Sequence, residues 1–393
     1  MLTKPTKDLF RHFALSGLLA AMAAALVMTG SAIFSESAAS LGATMLHISL
    51  GSLDLGKPLT AWLNNVLLTA LLFGLGLECK REVLEGELAV ASRLILVCLA
   101  AAGAVGVPAL LPILTSEGRT VAGMTWAAAA ATDLALVLGV TLLLGERVPT
   151  ALRALLMGVA MVGSLTTITL VGLADMSQTS ASALVVAGLC VLALTAMNMA
   201  RVESLSAYVL AGCVLWISLL GPGQQSLLAG IVTAAFIPVR NREKTRFPLF
   251  DACQDVLPTV SWTVFPALAV INGMVPFSAL GAAELWSPAA LVTGLAAFPG
   301  KALGIVGLCW IGRRLGLCQL PPGLGWKEVW GVGLLCGAGG VVGFGIVPAA
   351  MITGEDAAMV RTVLLLATTL SLTSGYLFLR HTLSLRRNFA RRR

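Results

Sequence analysis

AAAAATDLALVLG, residues 127–139, sets one carboxylate, Asp133, inside an otherwise apolar run, with Thr132 beside it. A charge at the centre of a bilayer costs at least about 2.5–3.5 kcal/mol on insertion scales, so a spanning segment that keeps one needs something to hold it. The only other ionisable residue that the pattern places deep in an apolar run is Lys301, in LAAFPGKALGIVGL at 295–308. Between these two charges lies MVGSLTTI, residues 161–168, where small and hydroxylated side chains replace charge altogether.

Composition places these features in lipid. Of 393 residues 58% are hydrophobic and 11% charged, with a mean hydropathy of +0.92. So few charges cannot build a water-facing surface, and only helices or closed barrels satisfy backbone polar groups within a bilayer. The expected class is therefore an all-α polytopic membrane protein. The net charge of +7 reads as topology rather than as a nucleic-acid footprint. Eight scattered cysteines with no CxxC pair imply neither a disulfide framework nor a metal site. No HExxH, GxSxG or Walker lysine loop is present, so hydrolytic and nucleotide-driven chemistry have no residues to act through. Neither an enzyme nor a bound cofactor is expected.

Apolar runs at about 14–33, 59–77, 94–114, 121–144, 150–174, 181–200, 205–220, 224–239, 256–274, 289–311, 329–352 and 358–379 predict twelve spans, the seventh and eighth short for a bilayer of about 30 Å. Lys and Arg test that count. Twenty-two of the 26 fall on the side of the N-terminus, only Lys57, Arg119 and Arg361 fall on the other, and Lys301 lies within the membrane. By the positive-inside rule both termini are cytoplasmic. The expectation is one transmembrane domain over residues 1–393, with an N-terminal tail at 1–12 and a basic cytoplasmic tail at 380–393.

Two spans look interrupted. The fourth carries Ala-Thr-Asp at its middle, and the eleventh contains CGAGGVVGFGIVP, residues 336–348, with five glycines before a proline. Broken helices in corresponding positions of two halves point to a midplane transport site. Glycines that merely allow close helix packing are the plainer alternative.

Six stretches resemble the bacterial NhaA-type sodium/proton antiporters: GSLDL at 51–55, GLGLECKREVLEGEL at 74–88, ATDLALVLGVTLLLGERVP at 131–149, ALRALLMGVAMV at 151–162, GKALGI at 300–305 and VGLLCGAG at 332–339. The resemblance runs from about residue 12 to 385. It implies inverted three-helix repeats, with helices four and eleven broken and crossing at midplane. It also implies a bacterial inner-membrane protein exchanging Na+ or Li+ for protons. Asp133 would then offset positive helix ends, with Lys301 serving nearby. Glu78, Arg81 and Glu82 match a cytoplasmic region used for pH sensing, although the same residues also suit a solvated helix end. The polar segment 47–58 would form an exposed hairpin at a homodimer contact.

The chain departs from this pattern where the family binds its cation. The two adjacent aspartates of helix five fall on Gly163 and Ser164, the aspartate of helix two falls within Asn64–Asn65, and a proline before the ATD motif is Ala129. Proton-coupled exchange needs a group that holds the cation only when deprotonated. Hydroxyls and carbonyls of Ser164, Thr166, Thr167 and Thr132 suit an alkali cation but give a proton nothing to compete for. Two routes to coupling stay open on the sequence: Asp133 as a single carboxylate, or Lys301 as the titrating group. A direct Asp133–Lys301 pair would close both. A relative that transports nothing and serves as a membrane scaffold or sensor is the alternative.

Overall fold

The computed structural model describes residues 44–50, 53–114, 125–145, 148–221, 223–240, 247–272, 285–346 and 354–391. The first apolar run, at 14–33, lies outside them. Each later run carries helix: α1 (Leu59–Glu85), α2 (Ala91–Leu114), α3 (Trp126–Ala130), α4 (Leu134–Leu144), α5 (Thr150–Asp175), α6 (Ala181–Met199), α7 (Leu205–Ser218), α8 (Leu228–Phe236), α9 (Pro248–Asn272), α10 (Pro288–Arg314), α11 (Trp326–Cys336), α12 (Gly340–Ile346) and α13 (Gly354–Arg391). Among the described residues eight helices are long and apolar enough to cross a membrane, or nine when the bent pair α11 and α12 counts as one span. The seventh and eighth runs stay short, at Leu205–Ser218 and Gln225–Phe236. The last helix runs on through Arg391, so what reads as a basic tail is helical to that point. Its 38 residues span about 57 Å, well beyond a hydrocarbon core of about 30 Å.

The described chain divides into two compact units assembled from interleaved stretches. In the unit that holds the described part of Ala23–Arg81 with Ile168–Met274, the polar segment forms the expected hairpin, β1 (Met45–Leu50) antiparallel to β2 (Leu53–Pro58). Three bonds pin it to the helices. Trp62 Nε1 donates to Leu46 O at 3.2 Å, Leu59 N donates to Thr44 O at 2.9 Å, and Lys57 Nζ donates to Gly221 O.

In the unit that holds Glu82–Thr167 and the described part of Val275–Arg393, α2 and α10 cross backbone on backbone. A Cβ on Gly103 would stand 2.1 Å from Gly304 O, and one on Gly304 would stand 2.1 Å from Gly103 O. Neither position admits a side chain. Just before this crossing α10 passes through a π-turn, Ala296–Gly300, containing Pro299. The wider turn accommodates a ring that lacks an N–H and would crowd the preceding carbonyl of a regular helix. Lys301 follows immediately, so the π-turn and the glycine contact together fix where its side chain starts. Gly304→Val should therefore destabilise the protein by about 2 kcal/mol or more through overpacking, read as a lower melting temperature in detergent. A melting temperature equal to that of the unaltered chain would show the crossing to be loose.

A site at the crossing of two broken helices

The fourth span unwinds at residues 131–133, between α3 and α4, and the eleventh at 337–339, between α11 and α12, which are bent by 44°. Both expected breaks are present. The glycines also serve the packing alternative, because a Cβ on Gly339 would lie 2.0 Å from Ala131 O. That close approach lets the two unwound segments touch.

Each break leaves a helix C-terminus with spare carbonyls and a helix N-terminus with spare N–H groups, and burial makes every unpaired one costly. The partners can be traced one by one. The Asp133 carboxylate, fully buried, accepts from Val341 N at 2.7 Å and Val342 N at 2.9 Å, capping α12 as an N-cap residue would, but from another helix. Asp133 itself stands at the N-cap position of α4, and its N–H donates to Ala338 O at 2.7 Å. One negative charge thus faces two positive helix ends. Lys301 Nζ, also fully buried, donates to Ala131 O, to Thr132 Oγ1 at 3.3 Å and to Cys336 O at 3.1 Å. These lie at the carboxyl ends of α3 and α11, so one positive charge faces two negative ends. Asp133 and Lys301 do not pair with each other among the described residues: each takes backbone or hydroxyl partners.

Two of the hydroxyls expected to line an ion path, Ser164 and Thr132, meet at the same break. Ser164 Oγ lies 2.6 Å from Thr132 O and 2.8 Å from Ala160 O, and its single proton serves one of them at a time. Thr132 Oγ1 donates to Cys336 O at 3.1 Å. Thr167 Oγ1 donates to Gly163 O at 2.9 Å, a turn along α5. Each hydroxyl spends its proton on a carbonyl and keeps oxygen lone pairs for a cation. Gly163 is buried, yet a Cβ built on it meets no atom within 4 Å. Space for a side chain exists where the family resemblance puts an aspartate.

Most of the other sequence-derived candidates belong to the hairpin-bearing unit. On α1, Glu78 is fully buried and forms an ion pair with Arg81, itself 8% exposed. The solvated-end alternative therefore does not describe that pair. Glu82 Oε2 accepts from Glu87 N at 3.1 Å where α1 ends. In the hairpin-bearing unit, Asn64 and Asn272 exchange amide bonds of 2.9 and 2.8 Å. Asn65 is bound to Ser226 Oγ and accepts from Trp216 Nε1 at 2.8 Å. Both asparagines are engaged as neutral amides.

Ser371 was not legible as part of the site. From α13 its Oγ donates to Leu334 O, relieving the last turn of α11. In the sequence it is one hydroxyl in an apolar span, with no periodic signal to single it out.

Two interrupted helices whose ends meet on one buried acid and one buried base define a polytopic membrane protein of the secondary-transporter kind. Residues 7–379 match the family model described as Na+/H+ antiporter 1, and the chain belongs to that family. It is 36% identical over 335 residues to the Na(+)/H(+) antiporter NhaA of Campylobacter concisus (strain 13826), covering 85% of this chain and 82% of that one. It is 34% identical over 393 residues to the Na(+)/H(+) antiporter NhaA of Yersinia pestis, covering 98% of each.

Proposed function

We propose that the chain is a secondary transporter of the bacterial inner membrane, with both termini cytoplasmic, that exchanges Na+ or Li+ for protons with altered coupling. The relatives are named as Na(+)/H(+) antiporters, and the crossing that such a mechanism needs is intact. The observation that carries the reading is the 2.6 Å contact of Ser164 Oγ with Thr132 O, which joins the fifth span to the unwound backbone of the fourth. In this reading oxygens of Ser164, Thr132 and Thr167 bind the cation, in place of carboxylates at 163 and 164.

Asp133 then serves the fold, since its two oxygens are occupied by helix N–H groups. The proton falls to Lys301, which touches Thr132 and so shares a residue with the proposed cation cage. Loss of its proton as a cation arrives would couple the two fluxes one for one. Glu78, Arg81 and Glu82 take the pH-sensing part, with protonation of Glu78 breaking its pair with Arg81. The hairpin is the proposed homodimer contact.

A transport-inactive role as scaffold or sensor is favoured by one fact: both buried charges already have helix-end partners, so the fold accounts for them without transport. Everted vesicles separate the readings. Under a respiration-generated proton gradient, Na+ or Li+ should dequench a pH-sensitive dye in vesicles containing the protein and not in empty ones. Silence at every pH between about 6 and 9 would establish the inactive reading.

A further inference from the structure

At the end of α5 and the start of the eighth span, the hairpin-bearing unit holds a second polar cluster. Gln225 is completely buried, and neither its Oε1 nor its Nε2 has a hydrogen-bond partner. A buried amide left in that state costs several hydrogen bonds' worth of desolvation, so a fold that keeps one usually supplies something to it. Asp175 supplies half of an answer. Its Oδ2 accepts from Gln224 N at 2.7 Å, and no cation pairs with it among the described residues. Asp175 Oδ2 and Gln225 Oε1 reach the same place: the position that a Cβ on Gly223 would take lies 2.6 Å from one and 2.7 Å from the other. Glycine at 223 keeps that place open. Lys57 spends its ammonium on Gly221 O.

Two acceptor oxygens gathered about one point repel unless a positive centre lies near them. We infer that Asp175 Oδ2 and Gln225 Oε1, over Gly223, form a monovalent-cation site near the non-cytoplasmic end of this unit, taking Na+ or Li+. A hard oxygen donor set with one negative charge suits such an ion. The side follows from the charge map, in which Lys57 belongs to the three residues opposite the basic face. The site does not rest on the transport reading, because it requires no movement through the crossing.

The test is the melting temperature of the purified full-length protein in detergent, titrated with NaCl against choline chloride at constant ionic strength. The unaltered protein should show a saturable Na+-dependent rise, because an ion that binds only the folded state stabilises it. That rise should fall in Gln225→Leu and in Asp175→Asn to the part the crossing supplies, whereas in Ser164→Ala the part supplied by Asp175 and Gln225 should remain. Gln225→Glu adds a second charge and should lower the half-saturating Na+ concentration roughly tenfold, and it keeps the test decisive if the other two variants fail to fold. A rise abolished by Ser164→Ala but kept in Asp175→Asn would assign the ion to the crossing and overturn the proposal. No rise in the unaltered protein, or an unmoved midpoint in Gln225→Glu, would also overturn it. The Gln225 amide would then be turned, its nitrogen donating to Asp175.

Discussion

Everted vesicles carrying the double variant Gly163→Asp, Ser164→Asp should exchange Na+ for protons at least roughly tenfold faster than vesicles carrying the unaltered chain, a change of about 1.4 kcal/mol. The expectation follows from what the site holds now. Hydroxyl and carbonyl dipoles attract a cation far less than a carboxylate does in a partly desolvated cavity. The geometry around the two positions favours the change. A side chain at 163 enters space with no atom within 4 Å of its Cβ. A carboxylate at 164 would face Thr132 O, which Ser164 Oγ now touches at 2.6 Å, so two acceptors would oppose each other until a cation came between them. The exchange of the double variant should also rise with pH, because a carboxylate binds the cation only after losing its proton. A double variant that folds normally and exchanges no faster would place the ion path away from the fourth and fifth spans.

Lys301→Ala should be the most damaging single substitution for stability, at about 3–5 kcal/mol. It strips the donor from buried Ala131 O and one of two donors from Cys336 O, and leaves the Asp133 charge without its counterpart. Thermal unfolding in detergent reads the effect directly. Lys301→Met separates capping from packing, since it keeps most of the volume and loses every hydrogen bond. Methionine should recover only a minor share of the loss. Full recovery would mean that the lysine stem, not its ammonium, holds the crossing.

Much of this architecture could be read from residue order because lipid leaves few solutions. Asp133 and Lys301 were conspicuous since a charge in an apolar span is expensive, and the glycines from 337 to 345 pointed to an interruption, although only 337 and 339 lie in it and 340, 343 and 345 sit within α12. Lys and Arg also segregate by side, a pattern legible in the residue order alone. The partners were not. That Asp133 caps α12 rather than its own α4, and that Lys301 gathers the ends of α3 and α11 rather than meeting Asp133, depends on how two unwound segments pass each other. That passage is set by contacts such as Gly339 on Ala131 O and Gly103 on Gly304 O, between residues far apart in the chain. The burial of Glu78 was equally hidden, since a pair at i and i+3 reads the same whether water or another helix covers it. Asn64 and Asn65 looked like lost ligands, whereas they lock helices through neutral amide bonds.

Asp133→Asn is the substitution that divides the structural role of the buried acid from a transport role. An asparagine keeps the shape and one acceptor, but its amide nitrogen must then face one of the two N–H groups at the start of α12. Melting temperature and Na+-dependent exchange should be measured on the same preparation. The buried acid as helix-end neutraliser predicts a melting temperature several degrees lower, with exchange per folded molecule and its Na+ dependence preserved. An unchanged melting temperature with exchange abolished would contradict it.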